Sequence, residues 1–225
     1  MRWFRRSLAP TSRWRLLYAT DLHGSDRCFR KLLNAAQLYE ANTVLIGGDL
    51  TGKVLVPLVR QPDGWAAAAD DTMVHLHTEA EVEGYAQQLA DRGAYALCCD
   101  PETLAELERR SDARDAAFLA LMRERLERWI ALARERLLPR GIRFLLNCGN
   151  DDPLEIDPIL RDAEGVEFLE GRAVLLQGHV WVVSVGEANE TPWHCPRDVP
   201  EAELARRIEE AVTQVPADDL PFAVF

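Results

Sequence analysis

Three apolar runs in this chain stop in the same abrupt way. RWRLLYAT runs into DLHG, NTVLI runs into GGD, and GIRFLL runs into NCGNDD. Acids and histidines are costly to bury unless something pairs with them. A strand that ends in Asp21 and His23 therefore has to deliver both to solvent or to a ligand.

Between the first two runs, residues 26–39 place Phe29, Leu32, Leu33, Ala36 and Leu38 mostly on one face, which predicts a helix. Strand, helix and strand within roughly 30 residues predict a βαβ unit and a parallel sheet. In an open α/β sheet, ligands gather beyond the carboxyl ends of the strands. The three polar endings then converge in space while lying far apart in sequence. Residues two apart on an extended backbone point the same way, so Asp21 and His23 aim at one ion. Gly47, Gly48 and Gly149 permit sharp turns and close backbone approach. Carboxylate, imidazole and amide oxygen make a mixed O/N donor set, suited to Mn, Fe, Zn or similar divalent ions.

The rest of the chain reads as support. Residues 53–69 read as irregular, with Pro57, Pro62 and Gly64, and residues 79–91 as a helix. Asp100-Pro101 offers a helix cap followed by proline at the first helical position. From there to Arg140 the chain is charged and helical, and Phe118, Met122, Leu126, Trp129, Ala133 and Leu137 form an apolar stripe at steps of three and four. Residues 166–185 hold strand-like runs, residues 201–213 an amphipathic helix, and PFAVF reads as one more buried strand.

A net charge of −11 argues against a general nucleic-acid or membrane binder. It leaves room for a small phosphorylated substrate held by a bound cation. Five scattered cysteines without a CxxC read as reduced thiols of a cytoplasmic protein. No stretch reaches the length of a membrane span. Residues 1–15 carry five arginines and no apolar core, and read as a frayed basic leader.

On its blocks ATDLHG, GGDLTG and CGNDD the chain resembles the calcineurin-like metallophosphoesterases, whose first three blocks are D-x-H, G-D and G-N-H-[DE]. The resemblance covers residues 15–52 and, more loosely, 143–225. It implies one domain over 1–225, an α/β fold built as a four-layer α/β/β/α sandwich, with a helical insertion over 55–140. It implies two divalent ions, with Asp21 and His23 on the first, Asp49 bridging both and Asn150 on the second. The implied activity is hydrolysis of a phosphate ester by a metal-bound hydroxide.

Two departures shape that expectation. Asp151 stands where the family has a histidine that serves the leaving group, and Asp152 matches the acid after it. Family branches without that histidine lean toward phosphodiesters. The family's later lone histidine and G-H-x-H block are absent, which implies a C-terminally truncated domain and a second metal site short of ligands. A truncated sheet would leave an unpaired edge and an uncovered apolar face. His194, in ETPWHCP, is the best spare ligand, while His75, His77 and His179 read as surface or structural residues. Two other readings stand beside this one. The first is an inactive homologue acting as a binding or interaction protein. The second is a nucleotide-binding module on Gly47 to Lys53, which fits G-x-x-x-x-G-K but has Val54 where a magnesium-binding Ser or Thr belongs.

Overall fold

The computed structural model describes residues 13–69 and 72–224. The expected frayed leader lies almost wholly outside these residues. The first strand, β1 (Leu16–Ala19), leads to helix α1 (Asp26–Leu38) and strand β2 (Thr43–Ile46). Ser25 caps the helix by accepting a bond from the Cys28 N–H, and Asp26 adds an acid to its first turn. Phe29, Leu32, Leu33 and Ala36 repeat at helical spacing and are all buried. β1 and β2 pair in parallel, so the expected βαβ unit forms.

After β2 the chain departs from the expected helical insertion. Residues 53–69, read as irregular, form strands β3 (Val54–Gln61) and β4 (Gly64–Ala69), followed by β5 (Thr72–Leu76). Helix α2 (Glu79–Asp91) and strand β6 (Ala94–Cys99) complete a four-stranded sheet of order β5-β4-β3-β6. Pro62-Asp63-Gly64 turns β3 into β4, and such a Pro-Asp-Gly turn marks a hairpin. Pro57 stands opposite Leu97 of β6 and outside the ladder to β4, which covers only Val59 to Gln61. Its missing N–H therefore leaves no gap in that ladder.

Helices α3 (Pro101–Arg109) and α4 (Ser111–Leu137) then return the chain to the first sheet. Met122, Leu126, Trp129, Ala133 and Leu137 are buried as the stripe predicts. Trp129 stacks flat on Phe29, with ring centroids 4.4 Å apart. Strand β7 (Arg143–Leu146) pairs in parallel with β2. After a short helix, α5 (Asp157–Arg161), comes strand β8 (Glu167–Phe168), which gives a parallel sheet of order β1-β2-β7-β8.

That sheet is buried on both faces. Val44 and Ile46 of β2 join Phe144 and Leu146 of β7 in a core with α1 and α4. Leu45 and Leu145 point the other way, into a second core with Leu176 and Val182. These two belong to strands β9 (Arg172–Gln177) and β10 (Val180–Ser184), an antiparallel pair. Two short strands, β11 (Ala188–Asn189) and β12 (Asp198–Val199), flank a long loop. Helix α6 (Glu201–Val212) follows, and Ala211 and Val215 cover Val183 on the far side of β10. The last strand, β13 (Ala223–Val224), pairs with β10 but is not buried as expected, since Phe222 and Val224 are 55% and 50% exposed. A cavity of about 730 Å³ opens between the two sheets beside Leu16, Tyr18, Leu176 and Val224.

The architecture is therefore mixed α/β with several sheets. Among the described residues, no helix is long and apolar enough to cross a membrane. Leu33 is fully enclosed at the centre of the largest core. Leu33→Ala is expected to lower the unfolding free energy by about 2–5 kcal/mol, read as a lower urea midpoint at unchanged slope.

Candidate metal centre

The ends of β1 and β2 run on side by side after the strands stop. The N–H groups of Asp21, His23 and Gly24 donate to the carbonyls of Gly48, Asp49 and Leu50, at 3.1, 2.9 and 2.7 Å. Asp21, His23 and Asp49 all hold left-handed backbone, with φ of +56°, +44° and +49°. Three such non-glycine residues in one place are unusual, and strained backbone of this kind clusters at functional sites.

The turn brings three side chains together. One ligand atom from each of Asp21, His23 and Asp49 lies within 4.8 Å of the other two. His23 Nε2 stands 3.5 Å from Asp21 Oδ1 and 3.8 Å from Asp49 Oδ2. Ligands held about 2.1 Å from one tetrahedral ion stand about 3.4 Å from each other, so the spacing fits a divalent cation. His23 Nδ1 is buried with no hydrogen-bond partner among the described residues. The cluster thus has an incompletely satisfied imidazole beside two carboxylates, and the donor set fits one ion. No second group of three His, Cys, Asp or Glu donors is gathered among the described residues.

The loop after β7 faces this cluster at very close range. A Cβ on Gly149 would lie 2.0 Å from Asp49 Oδ1, so only glycine lets the Asp49 carboxylate occupy its place. The Asp151 N–H points at Asp49 Oδ1 from 3.5 Å. Burial raises the Asp49 pKa, and the nearby charges of Asp151 and Asp152 raise it further. Burial also works against the Asp151 charge, but the Lys53 ammonium and the Cys195 thiol bond to it and hold its pKa below the usual range.

The remaining expected site residues take separate positions. Asn150 lies on the facing loop, and its amide donates weakly to Asp198 at 3.5 Å. Asp152 is fully buried and accepts from Leu50 N, Thr51 N, Thr51 Oγ1 and Gly149 N at 2.7–2.9 Å. Its oxygens are committed to these donors, so it ties the loops together instead of facing a ligand. His194 sits in a cavity with Lys53, Asn150 and Asp151, outside the three-residue cluster. His75 and His77 are exposed on and just after β5, and His77 bonds the Asp63 carbonyl.

The phosphate-cradle reading of Gly47 to Lys53 does not survive this geometry. The N–H groups of Gly47, Leu50, Thr51 and Gly52 are all taken, by Ala19, Asp152 and Tyr95. A strand, β3, follows the loop where a phosphate-binding loop needs a helix N-terminus.

Two arginines that sequence reasoning passed over hold the site in place. Arg125 of α4 is buried, donates to the carbonyls of Gly24 and Ala94 at 2.7 and 2.8 Å, and lies 3.8 Å over the Tyr95 ring. Arg197 is enclosed, donates to the carbonyls of Asp152 and Pro153, pairs with Asp157, and stands 3.6 Å from Glu170. An arginine inside a helix stripe or a loop carries no local sign that it is buried. Only the tertiary fold reveals it.

Comparison of the chain with protein families, with curated proteins and with solved structures returns no match.

Burial, with the neighbouring Glu187 carboxylate, pushes the Glu170 pKa from 4.5 up to about 7. A raised carboxyl pKa favours folding below the unfolded value, and that contribution is lost as pH rises through the folded value. The unfolding free energy of Glu170→Gln is therefore expected to gain on the parent as pH rises from about 4.5 to above about 7. Parallel stability curves would remove Glu170 as the cause.

Proposed function

We propose that the chain is a metal-dependent phosphoester hydrolase of the calcineurin-like metallophosphoesterase kind, acting on a small phosphodiester. One observation carries the reading: Asp21, His23 and Asp49 present ligand atoms within 4.8 Å of one another. They do so just past the carboxyl ends of adjacent parallel strands. Layer order supports it, since α1 and α4, the parallel sheet, the β9–β10 sheet and α6 pack in succession. We read that succession as a four-layer α/β/β/α sandwich. All five cysteines are free, which agrees with a reducing compartment such as the cytoplasm.

In this reading Asp21, His23 and Asp49 would together hold a divalent ion. Asn150, on the facing loop, would offer its amide oxygen to a second ion. Divalent ions held here lower the pKa of water and offset charge on phosphoryl oxygens. Asp151 occupies the place of the proton donor, but it is an ionised acid paired with Lys53 and cannot donate. Leaving groups that depart without a proton, such as aryl oxides, suit such a site. A diester carries one negative charge where a monoester carries up to two, so it meets less repulsion from Asp49 and Asp151.

A second reading is favoured by the same Lys53–Asp151 pair. Without a proton donor or a second gathered ligand set, the chain would bind metal and phosphate without turnover. One experiment separates the two. Titration with Mn²⁺ followed by hydrolysis of bis-p-nitrophenyl phosphate is expected to give metal uptake and turnover. Asp49→Asn is expected to weaken Mn²⁺ binding by more than about tenfold and to abolish turnover. Uptake without turnover selects the binding protein. Uptake indifferent to Asp49→Asn removes the metal centre altogether.

A further inference from the structure

Two cavities flank the Asp21–His23–Asp49 cluster, and one side chain lines both. The first, about 620 Å³, starts at His23 and runs past Val54, Val56, Tyr85 and Leu89, between β3 and α2. The second, about 600 Å³, starts at Asn150 and Asp151 and is walled by Trp193, His194 and Cys195. Lys53 lines both. Its side chain is 60% exposed and its ammonium pairs with Asp151. The Asp151 side chain is only 17% exposed, so the pair stays in place, but solvent reaches the ammonium and an arriving anion can share it with Asp151.

The second cavity has a built mouth. Trp193 is 80% exposed, an apolar indole left in water. The loop beneath it is well braced. Asp198 Oδ2 accepts from Thr191 N at 3.0 Å, Thr191 Oγ1 at 2.5 Å and Cys195 N at 3.0 Å. His194 N donates to the Thr191 carbonyl at 3.2 Å, and the Cys195 thiol donates to Asp151 at 3.1 Å. His194 itself is left-handed, with φ of +50°. The turn therefore fixes an aromatic face at the rim of a cavity that also holds Lys53. Such a face stacks on planar rings whatever their edge chemistry.

We propose that the two cavities receive the two arms of a phosphodiester. Lys53 reads the phosphate between them, and Trp193 stacks on a planar ring carried by the arm in the second cavity. The proposal rests on the phosphoesterase reading for the identity of the cluster, but on different residues for its own contacts. A monoester has one arm and leaves one cavity filled only with water. Inorganic phosphate meets Lys53 and neither cavity wall.

Calorimetric titration at saturating Mn²⁺ tests this with three probes that hydrolysis does not consume: diphenylphosphinate, whose two P–C-linked arms stand for the diester, phenylphosphonate, which stands for the monoester, and inorganic phosphate. The phosphinate is expected to bind about tenfold tighter than the phosphonate. Trp193→Ala is expected to lower the ratio of phosphinate to phosphate affinity about tenfold, and Trp193→Phe to restore most of it. Lys53→Met is expected to weaken all three probes and preserve that ratio. Both residues are exposed, so neither change threatens the fold. A phosphonate as tight as the phosphinate, no phosphinate binding, or a ratio unmoved by Trp193→Ala overturns the proposal. Mn²⁺ uptake by the same preparations is read first. Uptake that Asp49→Asn abolishes, with a ratio indifferent to Trp193, overturns the two-arm proposal alone, while absent uptake overturns the phosphoesterase reading.

Discussion

Asp152 has no exposed surface and accepts four hydrogen bonds, three from the loop after β2 and one from its own loop. A buried carboxylate is tolerated only when its oxygens are fully engaged, and charge-assisted bonds of this kind are strong. The consequence reaches beyond the acid itself. Leu50 and Thr51 are drawn against Gly149, and Asp49, one residue earlier, is held against the same glycine. Asp49 in turn accepts from neither Leu50 nor Thr51, so its carboxylate stays free to face Asp21 and His23. The position of the candidate metal centre follows from an acid that takes no part in it.

The segment between β2 and β7 is joined to the same place by a different device. Gly52 and Gly93 touch so closely that a Cβ on Gly52 would lie 1.9 Å from the Gly93 carbonyl oxygen. A Cβ on Gly93 would lie 2.1 Å from the His23 carbonyl oxygen. Arg125 then binds Gly24 on one side of this junction and Ala94 on the other. Tyr95, under the Arg125 guanidinium, accepts the Gly52 N–H. The inserted sheet is thus fastened directly behind His23, which is why its strand β3 and helix α2 can wall a cavity that begins at that histidine.

Much of this was legible in the sequence, and the reasons differ from one element to the next. The βαβ start was legible because Phe29, Leu32, Leu33 and Ala36 repeat at helical spacing between two short apolar runs. The stripe on α4 was legible for the same reason. Strands β3 and β4 were not, because Pro57 and a run of alanines hide the alternation, although Pro62-Asp63-Gly64 is a hairpin signal in plain view. The gathering of Asp21, His23 and Asp49 could be expected from their places at strand ends. The separate fate of Asp152 could not, because an aspartate that binds backbone amides reads the same as one that binds a metal. Arg125, Arg197 and the braced turn under Trp193 depend on contacts between distant segments, which no local pattern encodes.

The distribution of charge gives the cluster its direction. Four acids crowd the ends of β1, β2 and β7. Asp152 is satisfied by backbone and hydroxyl donors, and Asp151 by Lys53 and the Cys195 thiol. Among the described residues Asp21 has His23 at 3.5 Å, and Asp49 has His23 at 3.8 Å and the Asp151 N–H at 3.5 Å, distances too long for good hydrogen bonds. The negative charge left uncompensated therefore falls on the two carboxylates that share an imidazole. Asp49 is mostly enclosed, so water does little to relieve it, and burial together with Asp151 and Asp152 raises its pKa. A cation at that point would relieve all three effects at once. A cation at Asp152 would displace four good bonds, and one at Asp151 would compete with Lys53. Positive charge lies beside the cluster rather than within it: Lys53 lines both cavities, and Arg92 lines the one that begins at His23.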